Sequence, residues 1–156
     1  MSFQIRPATQ ADQPAITAMV RAAGINPLSL HWARFRVAEE GGRVVGVAQI
    51  KLHSDASREL ASLAVVPDRQ GDGIGGALIQ HLLAQPEGQP PLYLMCAHPL
   101  EGYYTRFGFR RLERAEMPPY FRRMTRLAGV FIAIVALFGE THHIIVMRHE
   151  GTFLTT

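Results

Sequence analysis

Arg69, Gln70, Gly71, Asp72, Gly73, Ile74, Gly75 and Gly76 stand in a row between a strand-like stretch and a helix-like one. Upstream, Arg58 to Val66 reads as a strand that stops at Pro67, since proline brings no backbone donor to a sheet. Downstream, Leu78 with Leu82 and Ile79 with Leu83 keep helical spacing up to Gln85. Glycines between such elements allow tight backbone angles and close approach of a ligand. Amides of the turn and of the helix N-terminus then point outward together, and the helix dipole favours a phosphate among them. Taken alone, the glycines are equally compatible with a plain strand-to-helix turn.

Two familiar phosphate motifs do not fit. A nucleotide P-loop ends in Gly-Lys-Ser/Thr, whereas Gly75 and Gly76 precede Ala77. The dinucleotide fingerprint needs another glycine spacing early in a βαβ unit. Here a predicted hairpin comes first, Arg36 to Glu40 and Arg43 to Leu52 joined by Gly41 and Gly42. Earlier still, Phe3 to Arg6 alternates like a short strand, and Thr9 with Asp12 resembles a helix start. Ile16, Met19, Val20 and Ala23 have the spacing that buries one helix face, and Gly24 is a natural stop. Ser29 is expected to cap a short helix through Ala33. Beyond the glycine turn, prolines and glycines from Pro86 to Pro91 make a loop, and Leu92 to Ala97 reads as a strand. Leu100 to Phe107 reads as a helix ended by Gly108, and Phe109 to Leu112 as a strand. Pro118 and Pro119 open a predicted helix to Gly139, and His142 to Arg148 forms the last strand.

The 156 residues, 47% apolar and 19% charged, suit one globular domain over the whole chain and argue against disorder. With Cys96 the sole cysteine, an intrachain disulfide is excluded and a reducing cytoplasm is expected. Met1 to Thr9 lacks an apolar stretch of signal-peptide length, and no segment reaches the roughly 18 uncharged apolar residues of a membrane span. A soluble protein without a transmembrane segment is therefore expected. The net charge is +3, and Arg106, Arg110, Arg111, Arg114, Arg122, Arg123 and Arg126 crowd together. They suit a phosphate-bearing partner or an ordinary solvated face. Nucleic acid is the weakest reading, supported by the arginines alone.

In this context the turn resembles the signature of the GNAT superfamily of N-acetyltransferases: Gln or Arg, two residues, Gly, one residue, then Gly or Ala. Gln70, Gly73 and Gly75 match it. Leu63, Ala64, Val65, Val66 and Pro67 resemble the end of that family's fourth strand, and Tyr103 to Phe109 its Phe-Tyr-x-x-x-Gly-Phe segment. The resemblance covers roughly Phe3 to Leu112 plus a closing strand near Ile144 to Met147. It implies an α/β (α+β) fold: a mixed, mostly antiparallel sheet of about six to seven strands flanked by helices. An extra C-terminal apolar helix would precede the last strand. It also implies acetyl-CoA as co-substrate and no metal. The amides of Gly71, Asp72, Gly73, Ile74, Gly75 and Gly76, next to Gln70, would hold the pyrophosphate. The backbone of Leu63, Ala64 and Val65 would bond the pantetheine arm. Asp72 places an anion near those phosphates, and Arg69 is positioned to offset it.

Acetyl transfer to an amine needs the neutral amine, so a base must take a proton from the ammonium. Glu59 opens the strand that leads into the turn, where some family members carry a general-base glutamate. Strand alternation puts it on one face with Ala61, Leu63 and Val65. The alternative is a strand-end carboxylate paired with Arg58 or another surface arginine. Tyr104 matches the family tyrosine that protonates the departing CoA thiolate, and Tyr103 reads as packing. Seven residues before Tyr104 the family often has asparagine; Ala97 stands there, so its pantetheine contact is expected to be missing. Cys96 reads as a small apolar residue rather than a nucleophile.

His31, Trp32, Arg34 and Arg36 lie where the family builds its acceptor site. His142 and His143, adjacent on a predicted strand, face opposite ways and do not suit a shared metal. The segment from Met117 to Gly139, arginine-rich and then apolar, is atypical. Its apolar run must be covered, by packing on the domain or by a homodimer through this segment, ahead of an anionic membrane surface met by Arg122, Arg123 and Arg126. The expected activity is direct transfer, in a ternary complex, from acetyl-CoA to a primary amine of a small molecule or peptide. The rival reading is an acyl-CoA-binding sensor with little catalysis.

Overall fold

The computed structural model describes residues 2–135 and 143–151, with backbone alone at 130–135. Among these residues are seven strands and four helices: β1 (Gln4–Pro7), α1 (Gln13–Ala22), β2 (Phe35–Glu40), β3 (Arg43–Leu52), β4 (Arg58–Val65), α2 (Ile74–Leu83), β5 (Leu92–Ala97), α3 (Glu101–Thr105), β6 (Phe109–Arg111), α4 (Pro119–Val135) and β7 (Ile144–His149). The hydrogen-bonded strand order is β1-β2-β3-β4-β5-β7-β6. Pairing is antiparallel for β1 with β2, β2 with β3, β5 with β7 and β6 with β7, and parallel where Glu59 of β4 meets Tyr93 of β5. The mixed, mostly antiparallel sheet and the helix before its last strand are as expected from the sequence. The chain forms two compact units, one of residues up to 51 and 60–88, the other of 52–59 and residues from 89 onward.

In the first unit, Asp12 accepts from the Thr9 N–H at 2.7 Å and takes a two-pronged Arg6 at 2.8 and 3.0 Å. This fixes the chain entry to α1, as the Thr9 and Asp12 spacing predicts. Ile16 and Val20 of α1 are fully buried against Phe35, Val37, Val47 and Ala64, each burial contributing about 1.5–3 kcal/mol. Ala23 lies just beyond the helix and is exposed, and Gly24 stops the element with φ +68°. The next short turn begins later than expected. His31, not Ser29, caps Trp32–Arg34, because its ring nitrogen accepts from the Ala33 N–H at 3.2 Å while Ser29 sits at φ +60°. Gly41 and Gly42 join β2 to β3 at φ +56° and +77°, the angles a tight hairpin requires. A Cβ on Gly46 of β3 would stand 2.7 Å from Ile74, so only glycine lets α2 approach that strand so closely.

In the second unit, Tyr93, Leu112, Phe121 and Val146 form the core, with Met95, Met117 and Tyr120 packed on it. Helix α4 joins through Phe121, fully buried, while Arg122, Arg123 and Arg126 stay exposed. Its N-terminus is capped from a distance: Asp55, in the loop after β3, accepts the Tyr120 N–H at 2.9 Å. Residues 136–139 of the predicted helix, and His142, lie outside the described residues. His143 does not belong to the strand as expected. Pairing with Ala97 begins at Ile144, and the His143 carbonyl accepts instead from the His98 N–H at 2.8 Å. Among the described residues, no helix is long and apolar enough to cross a membrane.

Candidate functional site

The glycine turn lies wholly within the first unit. Gln70 donates through Nε2 to the Val65 carbonyl at 3.1 Å, which ties the turn back to the end of β4. Gly71 and Gly73 take φ of +86° and +82°, and nothing lies within 4 Å of where a Cβ would be on either. Glycine is needed there for backbone angle, and open space is left beside the turn. Gly73 is the N-cap of α2, and the Ala77 N–H is the first to close a helical bond, onto Gly73 at 3.0 Å. The amides of Ile74, Gly75 and Gly76 precede the first i−4 bond of the helix and are left for an external acceptor. Arg69 pairs with Glu40 and donates to Asp72 at 2.8 Å. The anion at Asp72 is thus already matched by the arginine expected to offset it.

Strand β4 is less regular than its sequence suggests. Ser62 sits at φ +57°, which interrupts the extended backbone between Glu59 and the turn. Its hydroxyl accepts from Gln49, a fully buried side chain of β3, at 2.9 Å. Leu60, Ser62 and Ala64 form the buried face of the strand, and Glu59, Ala61, Leu63 and Val65 the half-buried one. Glu59 therefore shares the face expected of it.

Glu59 belongs to the second unit, and its surroundings differ from those expected. Its carboxylate Oε2 lies 2.6 Å from His53 Nε2, with only 10% and 12% of the two side chains exposed. Arg58, the alternative partner, donates to the Gln89 carbonyl at 2.8 Å. A carboxylate only accepts, so the donor that matches it in this contact is the Nε2–H tautomer of His53. The imidazole lies flat on Tyr120, ring centres 3.5 Å apart and planes 12° from parallel, with Phe121 edge-on at 5.8 Å.

Tyr104, on α3 in the same unit, is buried, and that burial, with Cys96 and Tyr103 nearby, raises its phenol pKa well above the ordinary value. It remains protonated near neutral pH and can donate. Tyr103 packs edge-on against Tyr104 at 5.2 Å, with the Arg106 guanidinium 5.0 Å above its ring, as a packing residue should. Burial, then Glu101, pushes Cys96 up to about 11. It is a neutral thiol at physiological pH, with Met147 Sδ 4.0 Å away.

The four residues expected around the acceptor are divided. His31 and Trp32, stacked at 5.4 Å, line an open depression along α1 with Gln13, Thr17 and Arg21. Arg34 and Arg36 line a separate cavity of about 160 Å³ beside Ile50 and Leu82. Sequence reasoning missed His53, Asp55 and Tyr120. His53, six residues before Glu59, carries no motif in the sequence. Tyr120 has no signal of its own, since its stack depends on where α4 docks.

A family model described as acetyltransferase (GNAT) domain matches residues 31–111. Two curated amino-acid acetyltransferases of Neisseria meningitidis, from serogroups A and B, are each 30% identical over 137 residues, 80% of this chain. The chain spans only 31% of their length. Among solved structures, N-acetylglutamate synthase of Neisseria gonorrhoeae, complexed with coenzyme A and N-acetyl-glutamate, is 27% identical with a TM-score of 0.72, covering 97% of this chain and 36% of that one. Rv2747 of Mycobacterium tuberculosis, solved with CoA, is 25% identical with a TM-score of 0.68 over 96% of this chain and 99% of that one.

Proposed function

The chain belongs to the GNAT acetyltransferase family, and from that premise we propose that it moves the acetyl group of acetyl-CoA directly onto the primary amine of a free amino acid. The glycine turn carries this reading: two glycines at positive φ open onto free space at the N-terminus of a ten-residue helix. Amides so arranged fit a pyrophosphate, which gains from both hydrogen bonds and the helix dipole. The amino-acid acceptor is supported by the Neisseria relatives, which are called amino-acid acetyltransferases.

In this reading the chain's residues divide the work. Amides from Gly71 to Gly76 hold the pyrophosphate, with Gln70 bracing the turn on Val65. Backbone groups of Leu63, Ala64 and Val65 bond the pantetheine arm. Acetyl-CoA supplies an activated thioester whose carbonyl carbon the amine attacks. Glu59 accepts a proton from the ammonium, which frees the nitrogen lone pair for that attack. Tyr104, held protonated by burial, gives its proton to the sulfur as the carbon–sulfur bond breaks, and the second proton lost by the nitrogen as the amide forms restores the phenol.

The test is thiol release from acetyl-CoA across the proteinogenic amino acids and simple alkyl amines. Saturable release with at least one amino acid, and formation of its N-acetyl product, is expected. Acetyl-CoA binding without turnover on any amine would replace this reading with a sensor, and absence of binding would end it.

A further inference from the structure

Helix α4 is the atypical element of the chain, and its first turn reaches the group assigned as base. Tyr120 lies flat on His53 at 3.5 Å. The Tyr120 N–H is fixed by Asp55 at 2.9 Å, and Asp55 is itself fixed by the Ser57 N–H at 3.0 Å and the Ser57 hydroxyl at 2.5 Å. The Ser57 carbonyl takes the His53 N–H at 2.9 Å, which closes the loop on itself. One end of this connected set is His53 Nε2, 2.6 Å from Glu59 Oε2. Every contact falls within the second unit.

We propose that His53, clamped by Tyr120 of α4, is a positioning residue that holds the Glu59 carboxylate in the orientation needed to take the acceptor's proton. The proposal rests on the reading of Glu59 as the base. A glutamate side chain on a strand end has three free torsions that place its oxygens. A short, charge-assisted bond to Oε2 fixes them and leaves Oε1 for the ammonium. Stacking on Tyr120 and the edge of Phe121 fix the imidazole plane in turn. The charged and titratable groups around His53 are Glu59 from β4, Asp55 from its own loop, and Tyr120 with Arg123 from α4; the Arg123 guanidinium is 6.0 Å from the Tyr120 ring. Burial tends to raise Asp55, but the bonds from Ser57 and the Tyr120 N–H outweigh it, so Asp55 stays ionised and keeps the cap. Burial, and the Glu59 charge after it, raise Tyr120, which stays a neutral phenol over the imidazole.

The experiment measures thiol release from acetyl-CoA with the best amino acid of the panel, in the wild type and in His53→Ala, His53→Gln, Tyr120→Ala and Tyr120→Phe. Melting temperatures confirm that each variant is folded. His53→Ala and Tyr120→Ala are expected to lower kcat by about tenfold with KM for acetyl-CoA unchanged. Tyr120→Phe keeps the ring, and His53→Gln keeps an N–H donor, so both should stay within about threefold of wild type. Side-chain ¹⁵N NMR adds a readout independent of turnover: the His53 Nε2–H signal should shift in Glu59→Gln and in Tyr120→Ala. If the wild type turns over and His53→Ala is equally fast, the positioning role is overturned while the base assignment stands. The same holds if His53→Gln is as slow as His53→Ala. If the His53 signal responds as stated but the wild type acetylates no amine, the functional reading fails and this role falls with it.

Discussion

In the function proposed, the first unit offers its ligand backbone and the second offers side chains. Around Gly71 and Gly73 the available groups are main-chain amides at positive φ beside the start of α2. Around Glu59 and Tyr104 they are a carboxylate, an imidazole and phenols whose properties are set by burial and by their neighbours. A backbone site tolerates varied side chains but not a lost glycine. A side-chain site tolerates backbone variation but not the loss of one functional group. Substitutions in the two units should therefore fail in different kinetic constants.

The largest effect belongs to Glu59 in its proposed role as base. Glu59→Gln should lower kcat by about a hundredfold or more while acetyl-CoA binds as before, measured by steady-state thiol release alongside calorimetric binding. Weakened binding with kcat intact would erase the contrast. Gly73→Val should do the reverse. It forces a β-branched residue to φ +82° where the N-cap amides must be met, and it should raise the acetyl-CoA dissociation constant by about tenfold or more, the value of one lost bond to a charged oxygen. Its kcat at saturating donor should change little. Tyr104→Phe should lower kcat by roughly tenfold, with donor affinity unmoved.

The smallest functional effect is expected at Asp12, which touches neither site. Its carboxyl is lowered to about 2, first by the Arg6 hydrogen bonds, with the Thr9 amide adding to them. A lowered native pKa gives stability that is present above the ordinary carboxyl value and is lost as pH falls through the native one. Asp12→Asn should cost about 2 kcal/mol at neutral pH, and the difference from wild type should vanish as pH drops from about 4 towards 2. Urea denaturation across that range measures it, with kcat and donor affinity unchanged at neutral pH.

The same contrast explains what the sequence disclosed. Gly71 and Gly73 were legible because positive φ leaves few residue choices, and Gly41 with Gly42 for the same reason. Leu92–Ala97 was legible as a strand because a short apolar run bounded by prolines and a polar segment allows little else. Glu59 and Tyr104 were legible as candidates, Tyr104 through a motif and Glu59 through its place on the strand that leads into the turn. His53 was not, because its partner is set by how residues 53–57 fold back, with Ala56 at φ +66° and the His53 N–H on Ser57. The positive φ of Ser62, +57°, was illegible for a similar reason: its hydroxyl bonds the buried Gln49 across the sheet, thirteen residues away in the chain. The cap of α4 by Asp55 spans 65 residues and leaves no trace in local periodicity.

The most direct test of the central claim, that the glycine turn is the donor site, is a coenzyme A titration of the ¹⁵N-labelled protein followed by amide NMR. The largest shifts are expected at the amides of Gly71 to Gly76, and in Gly73→Val they should need about tenfold or more coenzyme A to develop. Saturable binding that leaves those amides unmoved, or no binding at all, would contradict it.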